Sequence, residues 1–274
     1  MLRAGPQPDQ EPQRWDDHVP VYEAVFEPFS LQWARAAIAR LGLLPGQSVL
    51  DVGAGCGGAA LELAEQGLRV TAIDASSRMV ERIRARAAER GLSIDARAMD
   101  GQALTFEDGT FDAALSVLGV ILFPDAARGL AQMVRVVRRG ALISVVTWTE
   151  PQNYQLATEL RRAIETVYPE QPPAPLPAQL RYREEGDFRA LFAEAGLAQP
   201  VITTATARLN APSARWLSEH IEFAPGMAAM LSGLGERAPA VRERFVQNLE
   251  MRWGSGPIGL SGVVFIGTGT GLVP

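Results

Sequence analysis

Apolar residues along this chain occur in two alternating patterns. One is a short unbroken run, the other a stripe of helical period. Val49, Leu50 and Val52 form the first run. Their β-branched, fully apolar character predicts a buried parallel strand over 47–52. Further runs predict strands over 68–74, 93–98, 110–118 and 141–148. Between them lie stripes such as Met79, Val80, Ile83 and Ala87, and Leu130, Met133, Val134 and Val137. These recur at i, i+3, i+4 and i+7, the spacing of one helix face. Ser76 or Ser77 is placed to cap the first stripe, and Pro124-Asp125 opens the second. Such alternation predicts an α/β fold with a parallel sheet.

The two ends of the chain depart from this rhythm. Residues 1–14 are rich in Pro, Gln and charge, and read as a disordered leader. Residues 15–44 read as a helical lid, with Trp33, Ala36, Ala37, Arg40 and Leu41 at helical spacing and Gly42 as its stop. Residues 45–150 form the core, and 151–274 complete the sheet. Within that last part, helices are expected over 151–168 and 184–195, and strands over 201–209 and 263–267. The five prolines of Pro169–Pro177 predict a loop. The helical block between the last two strands, about 210–254, is expected to cap the sheet's C-terminal edge.

Composition narrows the classes. With 274 residues and 47% hydrophobic content, the chain can bury a large core. A net charge of −5 argues against a general nucleic-acid binder. No apolar run reaches the roughly 20 residues of a membrane span, and no signal peptide is read at the N-terminus. One cysteine excludes an internal disulfide and fits a reducing cytoplasm. All 26 basic residues are arginine, which excludes a phosphate-binding or Schiff-base lysine.

The chemistry is concentrated after the first strand. Gly53, Gly55 and Gly57 permit a sharp turn and a close ligand approach. Gly53, Gly55 and Gly58 also satisfy Gly-x-Gly-x-x-Gly, and Asp74 follows at the spacing of a nicotinamide-dinucleotide site. Asp51 points the other way: a carboxylate just before the glycines would repel a pyrophosphate and suits a cationic ligand. Asp74 ends the second strand, where it can accept ribose hydroxyls. Asp100-Gly101 follows the third strand, where an acid can receive an adenine amino group. The segment Leu104 to Asp112 follows at once.

On these motifs the chain resembles the class I S-adenosylmethionine-dependent methyltransferases, and within them the ubiquinone/menaquinone-biosynthesis type. Asp51, Gly53, Gly55 and Gly57 match the family's first motif; Asp74, Ser76 and Met79 its second; Asp100-Gly101 with Phe106, Phe111 and Asp112 its third. The resemblance implies a Rossmann-like seven-stranded sheet, mostly parallel with an antiparallel last strand. It implies that Asp51 and the turn Gly53, Ala54, Gly55 and Gly57 hold the methionine part, whose carboxylate faces N–H groups at a helix N-terminus. Asp74 would bind the ribose, and Ala75 and Met79 the adenine face. Asp100, Gly101 and Gln102 would read the adenine edge, and Ser116, Val117 and Leu118 would lie beside the sulfonium. Reaction would release S-adenosylhomocysteine. Binding of the cofactor without transfer, as in a cyclase-like or regulatory protein, and a nicotinamide oxidoreductase stand as alternatives.

The acceptor is expected to be a small molecule, with neither nucleic acid nor membrane as partner and no metal. Trp15, Tyr22, Tyr154, Trp216 and Phe223 are candidate pocket residues. His18 and His220 are candidate bases, each also readable as a packed helix residue. Positions 216, 220 and 223 are expected on one helix face. Cys56 reads as a small residue filling the turn, and Arg82, Arg84, Arg86 and Arg90 as a solvated helix face. Asp112 reads equally as a motif acid or as a solvated strand-edge acid.

Overall fold

The structure, a computed structural model, describes residues 6–170, 176–197 and 200–271. Seven strands form one sheet: β1 (Ser48–Val52), β2 (Arg69–Asp74), β3 (Ile94–Ala98), β4 (Phe111–Val117), β5 (Val137–Trp148), β6 (Val201–Ala211) and β7 (Ile258–Thr270). Their order is β3-β2-β1-β4-β5-β7-β6. The first five pair in parallel. β7 runs antiparallel to both β5 and β6. It is therefore the one reversed strand, as the resemblance implied. The chain steps outward from β1 to β3, then returns to β4 on the other side of β1. Ligands of open α/β sheets bind at this switch, beyond the strands' C-terminal ends.

Eleven α-helical segments accompany the strands among the described residues. They are α1 (Pro12–Trp15), α2 (Val19–Val21), α3 (Glu27–Leu41), α4 (Gly58–Glu65), α5 (Ser77–Glu89), α6 (Ala126–Val136), α7 (Gln155–Val167), α8 (Glu185–Glu194), α9 (Ala214–Glu219), α10 (Pro225–Gly233) and α11 (Ala238–Trp253). The first apolar stripe behaves as its spacing requires and the second in part, since Val134 is half-buried and Val137 begins β5 rather than continuing α6. Met79, Val80, Ile83 and Ala87 of α5 are buried, as are Leu130 and Met133 of α6. Ser76 and Asp125 cap these helices by accepting N–H bonds from Met79 and Arg128. α9, α10 and α11 leave β6 at Ala211 and rejoin the sheet at Ile258, its register partner. They enter at the same edge as the glycine turn.

Four expectations need correction. Residues 6–14 are not a disordered leader. They form helical turns in which the Asp9 carboxylate accepts the Gly226 N–H at 2.6 Å and Gln7 Oε1 accepts the Ala178 N–H at 2.6 Å. Residues 1–5 lie outside the described residues, as does 171–175 of the proline segment. The lid is broken rather than continuous: a π-helical turn, Tyr22–Phe26, separates α2 from α3. Pro28 explains the break, since it has no N–H to return to residue 24. The β-α alternation also lapses between β3 and β4, which are joined by a loop over 99–110. Arg86, placed on a solvated face by the sequence, is buried.

Candidate functional site

Asp51 lies one residue before the end of β1, paired with Ala72 on one side and Leu115 on the other. Both neighbours are buried strands, so its carboxylate is only 2% exposed. Its Oδ2 has no hydrogen-bond partner among the described residues. Burial, with the Asp74 and Glu27 carboxylates nearby, pushes its pKa up to about 7. A buried carboxylate without a partner is costly unless a ligand supplies one.

The glycine turn follows. Gly53, Gly55 and Gly57 all have positive φ, at 71°, 56° and 84°. A Cβ at Gly53 would stand 2.8 Å from Gly119 Cα, and one at Gly57 2.8 Å from Ile83 Cγ1. Glycine is therefore required twice over, by conformation and by space. The turn is closed by Gly53 and Ala54 N–H groups donating to Ile73 O. Asp74 then clasps it: Oδ2 accepts from Gly55 N at 2.9 Å, and Oδ1 from Ser76 N at 2.9 Å. Burial raises Asp74 to about 6, against the opposing effect of these backbone donors.

A brace that the sequence did not reveal lies beneath the turn. Glu27 of α3 accepts the Gly58 N–H at 2.9 Å and pairs with Arg86 of α5 at 2.7 Å. Arg86 also donates to Cys56 O at 2.7 Å. Consequently the N–H groups of Gly55 and Gly58 are already bonded within the protein, and the expected carboxylate cradle at the start of α4 is engaged by Asp74 and Glu27. Glu27 and Arg86 are 59 residues apart, with no local pattern to connect them. Cys56 is buried with Sγ against Met79 Sδ at 3.3 Å, and burial pushes its thiol pKa up. It is an inert filler.

Other candidate residues sort by position. Asp100, Gly101 and Gln102 follow β3 at the same edge, with Asp100 exposed and its Oδ1 accepting the Gln102 N–H. Ala75 is exposed there, whereas Met79 is buried with its Sδ against Cys56 of the turn. Ser116 is fully buried. Its hydroxyl donates to Val52 O and accepts from Val120 N, which ties β4 to β1 and leaves no free hydroxyl at the edge. Val117 and Leu118 end β4, and Leu118 is the one non-glycine residue described with positive φ, 60°. Asp112 sits at the opposite end of β4, accepting from Ser48 N at 2.7 Å and pairing with Arg138. It is structural.

The N-terminal segment crosses this edge. Asp16 accepts the Ser76 hydroxyl at 2.6 Å. Tyr22 lies on the turn, its Oη 3.0 Å from where a Gly55 Cβ would stand. Trp15 packs edge-on against Tyr22, and Phe26 follows. Phe26 stacks on Phe223 at 4.9 Å and leans on Trp148 at 6.2 Å; Trp148 in turn stacks on Tyr154 at 4.5 Å. The expected single face of 216, 220 and 223 does not form, because α9 ends at Glu219. Trp216 stacks on His220 instead, and Phe223 turns to Phe26. His220 Nδ1 lies 2.8 Å from Trp216 O, and His18 Nδ1 lies 2.8 Å from Glu222 O. No cluster of three His, Cys, Asp or Glu fit to hold a metal occurs among the described residues, and no helix of the described residues is long and apolar enough to cross a membrane.

Comparison with known proteins agrees with this geometry. Residues 49–140 match the methyltransferase-domain family. An uncharacterised protein of Mycobacterium tuberculosis is 34% identical over 173 residues, 62% of this chain and 61% of that protein. A demethylmenaquinone methyltransferase of Renibacterium salmoninarum is 33% identical over 148 residues, 53% of this chain and 61% of that enzyme. The chain thus spans about three fifths of these relatives. Among solved structures, the [4+2]-cyclase SpnF superposes with TM-score 0.61 at 20% identity over 98% of each chain. The YcgJ protein of Bacillus subtilis gives 0.57 at 18%, over 88% of this chain and 98% of that one. At these identities the structures speak for the fold alone. The 49–140 match identifies the glycine turn and its acids as part of a methyltransferase domain of the S-adenosylmethionine-dependent type, and the chain is similar to a demethylmenaquinone methyltransferase over 148 residues.

Proposed function

We propose that the protein transfers a methyl group to a small, apolar or aromatic acceptor at oxygen, nitrogen or carbon. The observation that carries this reading is the unpartnered Asp51 carboxylate oxygen, buried beside a glycine turn on which Tyr22 lies. That arrangement fits a ligand with a cationic ammonium and no phosphate. S-adenosylmethionine, when bound, supplies the methyl already activated on its sulfonium. Asp51 would hold the ammonium, and Asp74 would accept the ribose hydroxyls through its remaining lone pairs. Asp100 and Gly101 would meet the adenine edge, and Leu118 would border the reacting centre.

The protein's own task is then alignment and exclusion of water. Tyr22, Phe26, Trp148, Tyr154 and Phe223 form a wall with few polar groups, suited to a flat or apolar acceptor. The demethylmenaquinone methyltransferase relative supports the same acceptor class by its name. If the acceptor carries a proton, His18 is the better-placed base. Its Nδ1–H donates to Glu222 O, so neutral His18 keeps its lone pair on Nε2. His18 also lies on the segment that covers the turn, whereas the His220 ring is stacked on Trp216.

Calorimetry and product analysis test this. S-adenosylmethionine should bind the folded protein, and Asp74→Ala should weaken binding more than about tenfold, the effect of losing charge-assisted bonds. Release of S-adenosylhomocysteine should require an apolar or aromatic acceptor. His18→Ala should slow turnover roughly 10²-fold with unchanged cofactor affinity, as loss of a general base does, while His220→Ala should not. A folded protein that binds no cofactor would overturn the reading.

A further inference from the structure

A second concave surface lies away from the glycine turn, on the far side of the sheet order. Beyond the end of β5, the last residues of β6 and the first of β7 continue as a two-stranded ribbon, with Arg208 opposite Ser261 and Asn210 opposite Gly259. Side chains alternate across such a ribbon. Ala207, Leu209 and Ala211 are buried on one face, and Thr206, Arg208 and Asn210 are exposed on the other. With the end of α11 and the start of α7, the exposed face forms a groove of about 480 Å³. That volume falls within the range of small-molecule sites.

The groove is positively charged in a chain whose net charge is −5. Arg208 has no carboxylate partner among the described residues. Its side chain lies against Gly259, where a Cβ would meet Nε, so the absence of a side chain there makes room for the cation. Gln32 of α3 grips the Arg208 backbone at both N and O, holding this residue's strand position. Arg252 faces the groove from α11, its guanidinium 4.7 Å from the Trp253 ring centroid. The acid beside it, Glu159, is 3% exposed and already shared between Arg252 and Arg162. One buried carboxylate therefore serves two arginines, and Arg208 adds a third cation. The Ser261 and Thr206 hydroxyls stand on the same face as Arg208, available as neutral donors.

We propose that this groove is a binding site for a small oxyanion, a phosphate or carboxylate borne on a compact molecule. Arg208 would be the principal contact, with Arg252 and the Ser261 hydroxyl beside it. Guanidinium groups match both anions with paired N–H bonds. The site is separate from the cofactor turn and does not rest on the transfer reaction.

The test is calorimetric titration of the full chain with inorganic phosphate and with benzoate, at constant ionic strength set by chloride. Saturable binding of either probe is expected, weakening as salt rises. Phosphate alone would mark a phosphorylated ligand, and benzoate alone a carboxylated aromatic one. Arg208→Gln should reduce affinity at least about tenfold, as loss of a charge-assisted pair does. Gly259→Ala, which keeps every charge but displaces the Arg208 head, should reduce it as well. Binding of S-adenosylmethionine by both variants reports an intact fold. Absence of saturable binding for both probes, or Arg208→Gln titrating like the parent protein, would overturn the proposal.

Discussion

At the residue scale, Asp51 sets function against stability. Its folded pKa of about 7 lies above that of an unfolded aspartate, about 4. Between these values the folded state holds the extra proton, so stability contributed at low pH is lost as pH rises from about 4 to about 7. Asp51→Asn removes this titration. The variant should match the parent at pH 4 and melt at a higher temperature at pH 8, read by thermal scans across that range. Cofactor affinity should move oppositely. It should rise in the parent as Asp51 ionises and fall at least about tenfold in the variant, which has no charge to offer an ammonium. A variant less stable than the parent at pH 8 would show that Asp51 is a structural acid. Asp51 was legible from sequence because its place before the glycines forced the question of ligand charge. The contact of Met79 Sδ with Cys56 Sγ was not, because a motif position does not say what a buried side chain touches.

At the scale of elements, α3 and α5 jointly hold up the glycine turn. The stripe of α5 was legible, since Met79, Val80, Ile83 and Ala87 obey helical spacing. Its arginines were not. Arg82, Arg86 and Arg90 each find an acid on another element, Glu23, Glu27 and Glu65, and such pairings leave no local trace. Only Glu27 and Arg86 are buried as a pair, with side chains 9% and 10% exposed. Removing Glu27 leaves buried Arg86 only the more distant Glu23 carboxylate, at 3.6 Å, and the Cys56 carbonyl. Glu27→Ala should cost about 3–5 kcal/mol, since it also frees the Gly58 N–H. By contrast Arg90→Ala, in an exposed pair, should cost less than about 1 kcal/mol. Chemical denaturation of the two variants checks the contrast. Equal losses would mean that the buried pair does not brace the turn.

At the scale of the whole molecule, the parallel half of the sheet follows from alternating patterns within 45–150. The reversed β7 could be inferred only from the resemblance, because strand direction leaves no mark on composition. The path of residues 7–14 was hidden, since their polar composition suggested disorder, whereas 15–22 were expected in a lid; specific bonds at both ends hold the whole segment. On the cofactor side Asp16 bonds Ser76, and Tyr22 lies on Gly55. On the cap side Asp9 accepts the Gly226 N–H in the first turn of α10, and His18 meets Glu222 O. One strap thus joins the glycine turn to the inserted helices, and on the proposed reading it shifts when the cofactor enters. Asp9→Ala removes the cap-side anchor, at a cost of about 1 kcal/mol if it acts as a helix-start acceptor. Hydrogen exchange should then quicken at Gly226–Ala228 and along 12–22, with α6 unchanged as an internal reference. S-adenosylmethionine should dissociate faster, since the strap spends more time open. If exchange quickens only at α10 and cofactor dissociation is unchanged, the two ends of the strap move independently, and the link between cap and cofactor turn is not made through it.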